Sequence, residues 1–155
     1  MKRVVITGLG TINSTGHSVN ESFDAVVNGV CGIDKITLFD TTDFSVQIAG
    51  EVKNFDPETV MDKKEVKKAD RFIQLGIKAA LEAMIDSGFV TSENKKVDDS
   101  IANRFGIISG SGIGGLSTIQ KKFYNLWHKR FKKNISIFYT IIFSKYAKWV
   151  YLYWT

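Results

Sequence analysis

Val4-Val5-Ile6-Thr7 is a β-branched run closed by Gly8, and it predicts a buried strand. Ser18-Val19-Asn20-Glu21 has the form of a capping box, in which the Ser hydroxyl accepts from a free amide while Glu21 reaches back. Val19, Phe23, Val26 and Val27 then fit one helical face, and Gly29 is a C-terminal stop. Val46, Ile48, Gly50 and Val52 alternate with Gln47, Glu51 and Lys53, broken by Ala49, which predicts a half-buried strand. Asp56-Pro57-Glu58 predicts a helix start, with Asp as N-cap and Pro at the first helical position. From Asp70 to Ser87 the pattern is helical, with Phe72, Ile73, Ile77, Leu81, Met84 and Ile85 as its apolar positions. Gly76, Ala79, Ala80 and Ala83 keep parts of that helix small enough for close approach of another element, and Gly88 ends it. Residues 90–103 are polar and predict a surface loop. Phe105-Gly106-Ile107-Ile108-Ser109 predicts another buried strand, which runs into Gly110-Ser111-Gly112-Ile113-Gly114-Gly115-Leu116. Strands alternating with helices argue for an α/β layered fold. From Lys121 onward there is no Gly, no Pro, no capping box and no sustained period, and Trp127, Trp149 and Trp154 share no helical face.

Composition sharpens that break. The net charge is +5, but residues 1–120 hold 13 Lys/Arg and 16 Asp/Glu, a net of −3, whereas residues 121–155 hold eight Lys/Arg and no acid. All five Tyr, all three Trp and 12 of the 19 aromatics lie in those last 35 residues, and all 13 Gly and the single Pro lie before them. The total charge therefore describes neither part. A length of 155 residues fits one domain that buries roughly 70% of its unfolded surface. One Cys excludes a disulfide framework and, with two His, the familiar Cys/His zinc sites, and it suits a reducing compartment. Gly8 arrives too early for a signal-peptide core, and the longest apolar candidate, residues 135–143, is half of the roughly 18 residues a membrane span needs.

Several motifs admit both a chemical and a structural role. Gly8-Leu9-Gly10-Thr11-Ile12-Asn13 after a strand has two glycines of the dinucleotide fingerprint but Asn13 in place of the third, and the next helix starts only at Ser18. The oxidoreductase half-domain it suggests is therefore poorly supported. Gly110 to Gly115 places four glycines in six residues, a tight turn or a close approach to a ligand, and no Lys-Ser/Thr pair follows to make it a P-loop. Lys63, Lys64, Lys67 and Lys68 form a basic run, in which Lys64, Lys67, Lys68 and Arg71 share one face if the helix is continuous. That face is either solvated or a docking patch for an acidic partner. Cys31 has no motif linking it to His17 or His128 and reads as a small loop residue. The basic aromatic tail is compatible with a second class of function, a binding module that contacts nucleic acid or a membrane surface.

Taken together, the order and spacing of these segments over residues 1–120 resemble the N-terminal part of a β-ketoacyl-acyl-carrier-protein synthase, most closely the synthase II type. The segments are Arg3 to Gly10, Gly32-Ile33 with Phe39-Asp40-Thr41, Ala49 to Phe55, Asp70-Arg71-Phe72-Ile73-Gln74, and Ile108 to Leu116. The resemblance implies a thiolase-like layered α/β fold, present here as its incomplete N-terminal half. It implies fatty-acid elongation in the cytoplasm without a cofactor or metal, and without nucleic-acid or membrane partners. An activated Cys would take an acyl chain from acyl carrier protein, and two His and a Lys would assist decarboxylative condensation with malonyl carrier. Those four residues lie further along the family chain than this sequence reaches, so no catalytic residue is assigned, and Cys31 does not match the nucleophile's motif. Two features carry over: Ile113 matches a residue bordering the acyl pocket, and Lys63, Lys64, Lys67 and Lys68 fall in the segment that docks the acidic carrier. The family is homodimeric; an isolated half-sheet with an open edge and exposed apolar face is expected neither to dimerise nor to be stable.

Residues 121–155 are expected to come from a shifted reading frame. Lys132 to Thr140 can be back-translated so that reading one base later gives Lys-Lys-Ile-Ser-Pro-Phe-Phe-Ile, the style in which the family continues. An extra A in the Lys121-Lys122 tract would produce the shift. The domain boundary is then 1–120 against 121–155, with an inactive chain and a tail expected to lack order.

Overall fold

The structure, a computed structural model of the chain, describes residues 3–128. In chain order they form α1 (Val19–Val27), β1 (Asp34–Lys35), β2 (Ile48–Ala49), a 3-10 turn (Pro57–Thr59), α2 (Lys63–Val66), α3 (Arg71–Asp86), α4 (Asp99–Ala102) and α5 (Leu116–His128).

The predicted helices form where their caps place them. Ser18 Oγ accepts from the Glu21 amide at 3.2 Å, and Glu21 Oε2 reaches back to the His17 amide at 2.6 Å, one residue beyond the usual capping-box partner. Gly29, at φ 68°, leaves α1 in the left-handed region that a side chain resists. Asp56 Oδ1 accepts from the Glu58 amide at 2.9 Å and starts the 3-10 turn. The 16 residues of α3 match the apolar spacing, and Gly88 follows at φ 77°.

The strands differ from expectation. Residues 4–7 and 105–109 lie in no regular element, and Val4, Ile6 and Ile108 are almost fully exposed. A β-branched run becomes a strand only against a hydrogen-bonding neighbour. Neither run has one among the described residues. The alternating segment 46–53 keeps only Ile48–Ala49, antiparallel to Asp34–Lys35 with Asp34 opposite Ala49 and Lys35 opposite Ile48. The Ile36 amide extends this pairing to the Gln47 carbonyl at 2.9 Å.

The core lies on α3. Val60, Met61, Ala69, Leu81, Val90 and Val97 are buried, with Phe55, Val66, Ile73, Ile77, Met84, Ile101 and Phe105 packed against them. Val90 and Val97 belong to the segment expected to be a surface loop. Its polar pattern hid two apolar anchors, and α4 follows them, started by Asp98 Oδ1 on the Ser100 amide at 2.8 Å. No side chain among the described residues is completely enclosed, and Phe23, Val26, Leu38, Val46 and Ile113 stand exposed. That is an apolar surface larger than a self-sufficient domain usually leaves open. Helix α5 continues past Lys121 to His128, so the compositional break is not a structural break at that point. A helix already nucleated at Leu116 adds one hydrogen bond per residue, and Gln120, Lys121 and Lys122 are good helix formers. Trp149, Trp154 and the rest of 129–155 lie outside the described residues.

Candidate functional site

Residues Asp70 to Gln74 form a junction at the start of α3, and three other segments are tied to it. Asp70 has extended N-cap geometry, φ −66° and ψ 156°, yet its side chain makes no cap bond to α3. Its Oδ1 instead accepts from Thr118 Oγ1 at 2.9 Å, in the first turn of α5. A Cβ added at Gly115 would collide with Asp70 Oδ2, so the glycine turn and the carboxylate are in direct apposition.

Arg71 turns the other way. Its Nη2 donates to the Val52 carbonyl at 2.9 Å and its Nη1 to the Phe55 carbonyl at 3.5 Å, while the guanidinium sits 5.1 Å from the Phe55 ring centre. His17 meets the same ring edge-on at 6.1 Å, and its Nε2 lies 2.8 Å from the Lys53 carbonyl. Gln74, buried, donates Nε2 to the carbonyls of Val66 at 3.2 Å and Ala69 at 3.1 Å, closing the C-terminal end of α2.

Of the four lysines, Lys63 and Lys64 open α2 and Lys67 and Lys68 follow its end. All are exposed; Lys63 pairs loosely with Glu58 at 3.9 Å and Lys68 with Glu65 at 3.1 Å, which leaves Lys64 and Lys67 without an ion pair among the described residues. Exposed pairs of this kind add about 0–1 kcal/mol, and the two carboxylates against four lysines leave a net positive patch. The shared face with Arg71 does not exist, because α2 ends at Val66 and the chain turns at Asp70 before α3 begins. The basic patch is the lysines alone.

Ile113 lies in the glycine turn, 67% exposed, beside Gly114 at φ 81°. Cys31 is exposed, and its thiol donates weakly to the Ile33 carbonyl at 3.7 Å. His17 is engaged at Lys53 and Phe55, so no histidine–thiol pair is assembled there.

The Gly8-Leu9-Gly10 turn is a packing device. A Cβ at Gly8 would strike Ala83 O, and one at Gly10 would strike Ala79 O, so the turn lies directly on the small face of α3. Its amides are also occupied: Leu9 donates to Asp86 Oδ2 at 2.9 Å and Thr11 to Glu82 Oε2 at 3.2 Å. Glu82 Oε1 accepts from the Val19 amide at 2.7 Å, and Lys78 Nζ lies 3.6 Å from Oε2. Two carboxylates at these amides leave no place for a pyrophosphate. Sequence reasoning missed Glu82 and Asp86 because their partners are 63 to 77 residues away.

Between β1 and β2, Asp34 is held below the ordinary carboxylate value by the hydrogen bond from Lys53 Nζ at 2.7 Å and then by the Lys35 amide. Lys53 is raised in return, mainly by Asp34. Glu51 is lowered against an opposing desolvation cost by the Thr37 hydroxyl and amide and by the Leu38 amide. These ties order an exposed surface strip. They do not create a proton-transfer group.

The family model for the β-ketoacyl synthase N-terminal domain matches residues 1–147. The chain belongs to the β-ketoacyl synthase family. It is 45% identical over 119 residues to 3-oxoacyl-[acyl-carrier-protein] synthase 2 of Staphylococcus aureus, covering 77% of this chain and 27% of that protein. The same-named protein of Coxiella burnetii is 40% identical over 122 residues, covering 79% and 28%. The chain thus spans little more than a quarter of the length of these relatives. A solved structure titled the ishigamide ketosynthase/chain length factor superposes with a TM-score of 0.64 at 26% identity, over 83% of this chain and 30% of that one. The fold is therefore that of a ketosynthase N-terminal part, as the resemblance implied. No helix among the described residues is long and apolar enough to cross a membrane, and no cluster of three metal-binding side chains occurs among them.

Proposed function

We propose that these residues are the N-terminal part of a 3-oxoacyl-acyl-carrier-protein synthase of the type 2 class, acting in cytoplasmic fatty-acid elongation. The observation that carries this reading is the 45% identity to a relative of that name over 119 residues. In the reaction a Cys thiolate displaces the carrier thiol from an acyl thioester. Malonyl carrier then loses carbon dioxide, and the resulting carbanion attacks the acyl-enzyme and releases the Cys. The present chain contributes binding surfaces to that chemistry. The Lys63, Lys64, Lys67 and Lys68 cluster receives the acidic carrier protein, and Ile113 borders the acyl chain. The nucleophile, both His and the Lys of that reaction are assigned to no residue of the sequence given. No cofactor is required.

We further propose that residues from about 121 onward are read in a shifted frame, through one surplus A in the Lys121-Lys122 tract. The support is the change from net −3 to all-basic composition together with the family-like reading one base away. Resequencing the gene across that tract and several hundred bases beyond tests both proposals. A downstream frame that encodes the Cys, His and Lys of a synthase supports them. A downstream frame with no synthase half overturns the frameshift and returns the tail to consideration as a binding element.

A further inference from the structure

We infer that Asp70 is the positioning residue for the turn that carries Ile113, and so for the wall that Ile113 presents to an acyl chain; the second clause rests on the acyl-pocket reading above. An aspartate at an N-cap position ordinarily spends its carboxylate on its own helix. Asp70 does not. Its Oδ1 takes the Thr118 hydroxyl across 48 residues of chain, in a partly buried contact, and its Oδ2 lies where a side chain on residue 115 would have to be. The carboxylate therefore holds the C-terminal end of the glycine turn, with Oδ1 on Thr118 and Oδ2 against Gly115.

The turn ahead of that tie is open. Gly110 and Gly112 have open space where a side chain would sit, and Ile113 is exposed. Gly114 is free to adopt φ 81° only because it lacks a Cβ. Such a glycine-rich segment samples many conformations unless tied. The tie is placed at its C-terminal end, two residues from Ile113. The opposite end of the tie is rigid, because Asp70 opens the longest helix among the described residues and is flanked by Arg71 and Gln74, each fixed by two carbonyls.

The test is amide hydrogen exchange on the full chain, with Asp70, Asp70→Ala and Asp70→Asn compared. Asp70→Ala should accelerate exchange in residues 112–119 by about tenfold or more while residues 75–85 keep their rates. Asp70→Asn, which retains one acceptor oxygen for Thr118, should fall between the two. Unchanged exchange in 112–119, or equal acceleration in both segments, overturns the assignment. A photoreactive dodecanoyl thioester is then used to read the acyl wall. Labelling centred on residues 112–116 and dispersed by Asp70→Ala supports positioning of that wall. Absence of such labelling in the unsubstituted chain overturns the Ile113 pocket reading, while the exchange result still decides whether Asp70 holds the turn.

Discussion

The guanidinium of Arg71 lies 5.1 Å from the ring centre of Phe55 and donates to the carbonyls that flank it, Val52 and Phe55 itself. A planar fork serves ring and carbonyls together, which a lysine ammonium cannot do. Arg71→Lys should therefore lower stability by about 1 kcal/mol, nearly as much as Arg71→Ala, because the lost geometry and not the charge is what counts. Urea unfolding of the three chains checks it; a fully rescued Lys variant would contradict the argument.

Glu82 serves two amides that belong to different segments, Thr11 and Val19, from a partly buried position. Removing its carboxylate leaves the Val19 donor without its partner at the start of α1. Glu82→Ala is expected to cost about 2–3 kcal/mol, and Glu82→Gln, which retains one acceptor, about half that. The midpoint of chemical denaturation reads both, and helix α1 should lose exchange protection first.

Three glycine-to-alanine changes should have three different outcomes. Gly10→Ala drives a Cβ into Ala79 O and should destabilise by more than about 2 kcal/mol, because backbone must separate from backbone. Gly29→Ala meets open space but a φ of 68°, and should cost about 1 kcal/mol. Gly76→Ala meets nothing at an exposed position of α3 and should stabilise by about 0.5–1 kcal/mol. Thermal melts rank the three, and a destabilising Gly76→Ala would reveal a contact at that face.

The double substitution Lys64→Glu/Lys67→Glu reverses the charge of the two lysines without ion pairs. Affinity for an acidic carrier protein should fall by about tenfold at low ionic strength and by less at high salt, because the attraction is screened over a Debye length. Titration calorimetry at two salt concentrations measures it. Equal loss at both would assign the effect to shape.

The tie between Asp34 and Lys53 has a defined pH window. Asp34 is lowered from 3.8, so its contribution is present above that value and is lost as pH falls through the lower folded value. Lys53 is raised from 10.5, so its contribution is present below that value and is lost as pH rises through the higher folded value. The β1–β2 pairing should thus be most ordered between the two, and NMR shifts of Ile36 and Ile48 followed against pH should bend at both edges. Lys53→Gln should abolish the upper bend.

The helices were legible because their determinants are local. Ser18 and Glu21, Asp56 and Pro57, and the apolar spacing of α3 act within a few residues of one another, and the structure places helices at each. Lys63, Lys64, Lys67, Lys68 and Ile113 were named from the chain, and all five stand exposed. Val4-Val5-Ile6-Thr7 and Phe105 to Ser109 had strand propensity but no partner, and a strand is a relation between two chains of backbone. Sequence also identified every glycine of the two turns, but only the packing decided their purpose. Gly8 and Gly10 let a loop lie on Ala79 and Ala83, and Gly115 makes room for Asp70. The hydrogen bonds that Asp70, Glu82 and Asp86 accept from groups 48 to 77 residues distant leave no periodic trace, because they depend on where two segments meet and not on what either prefers alone.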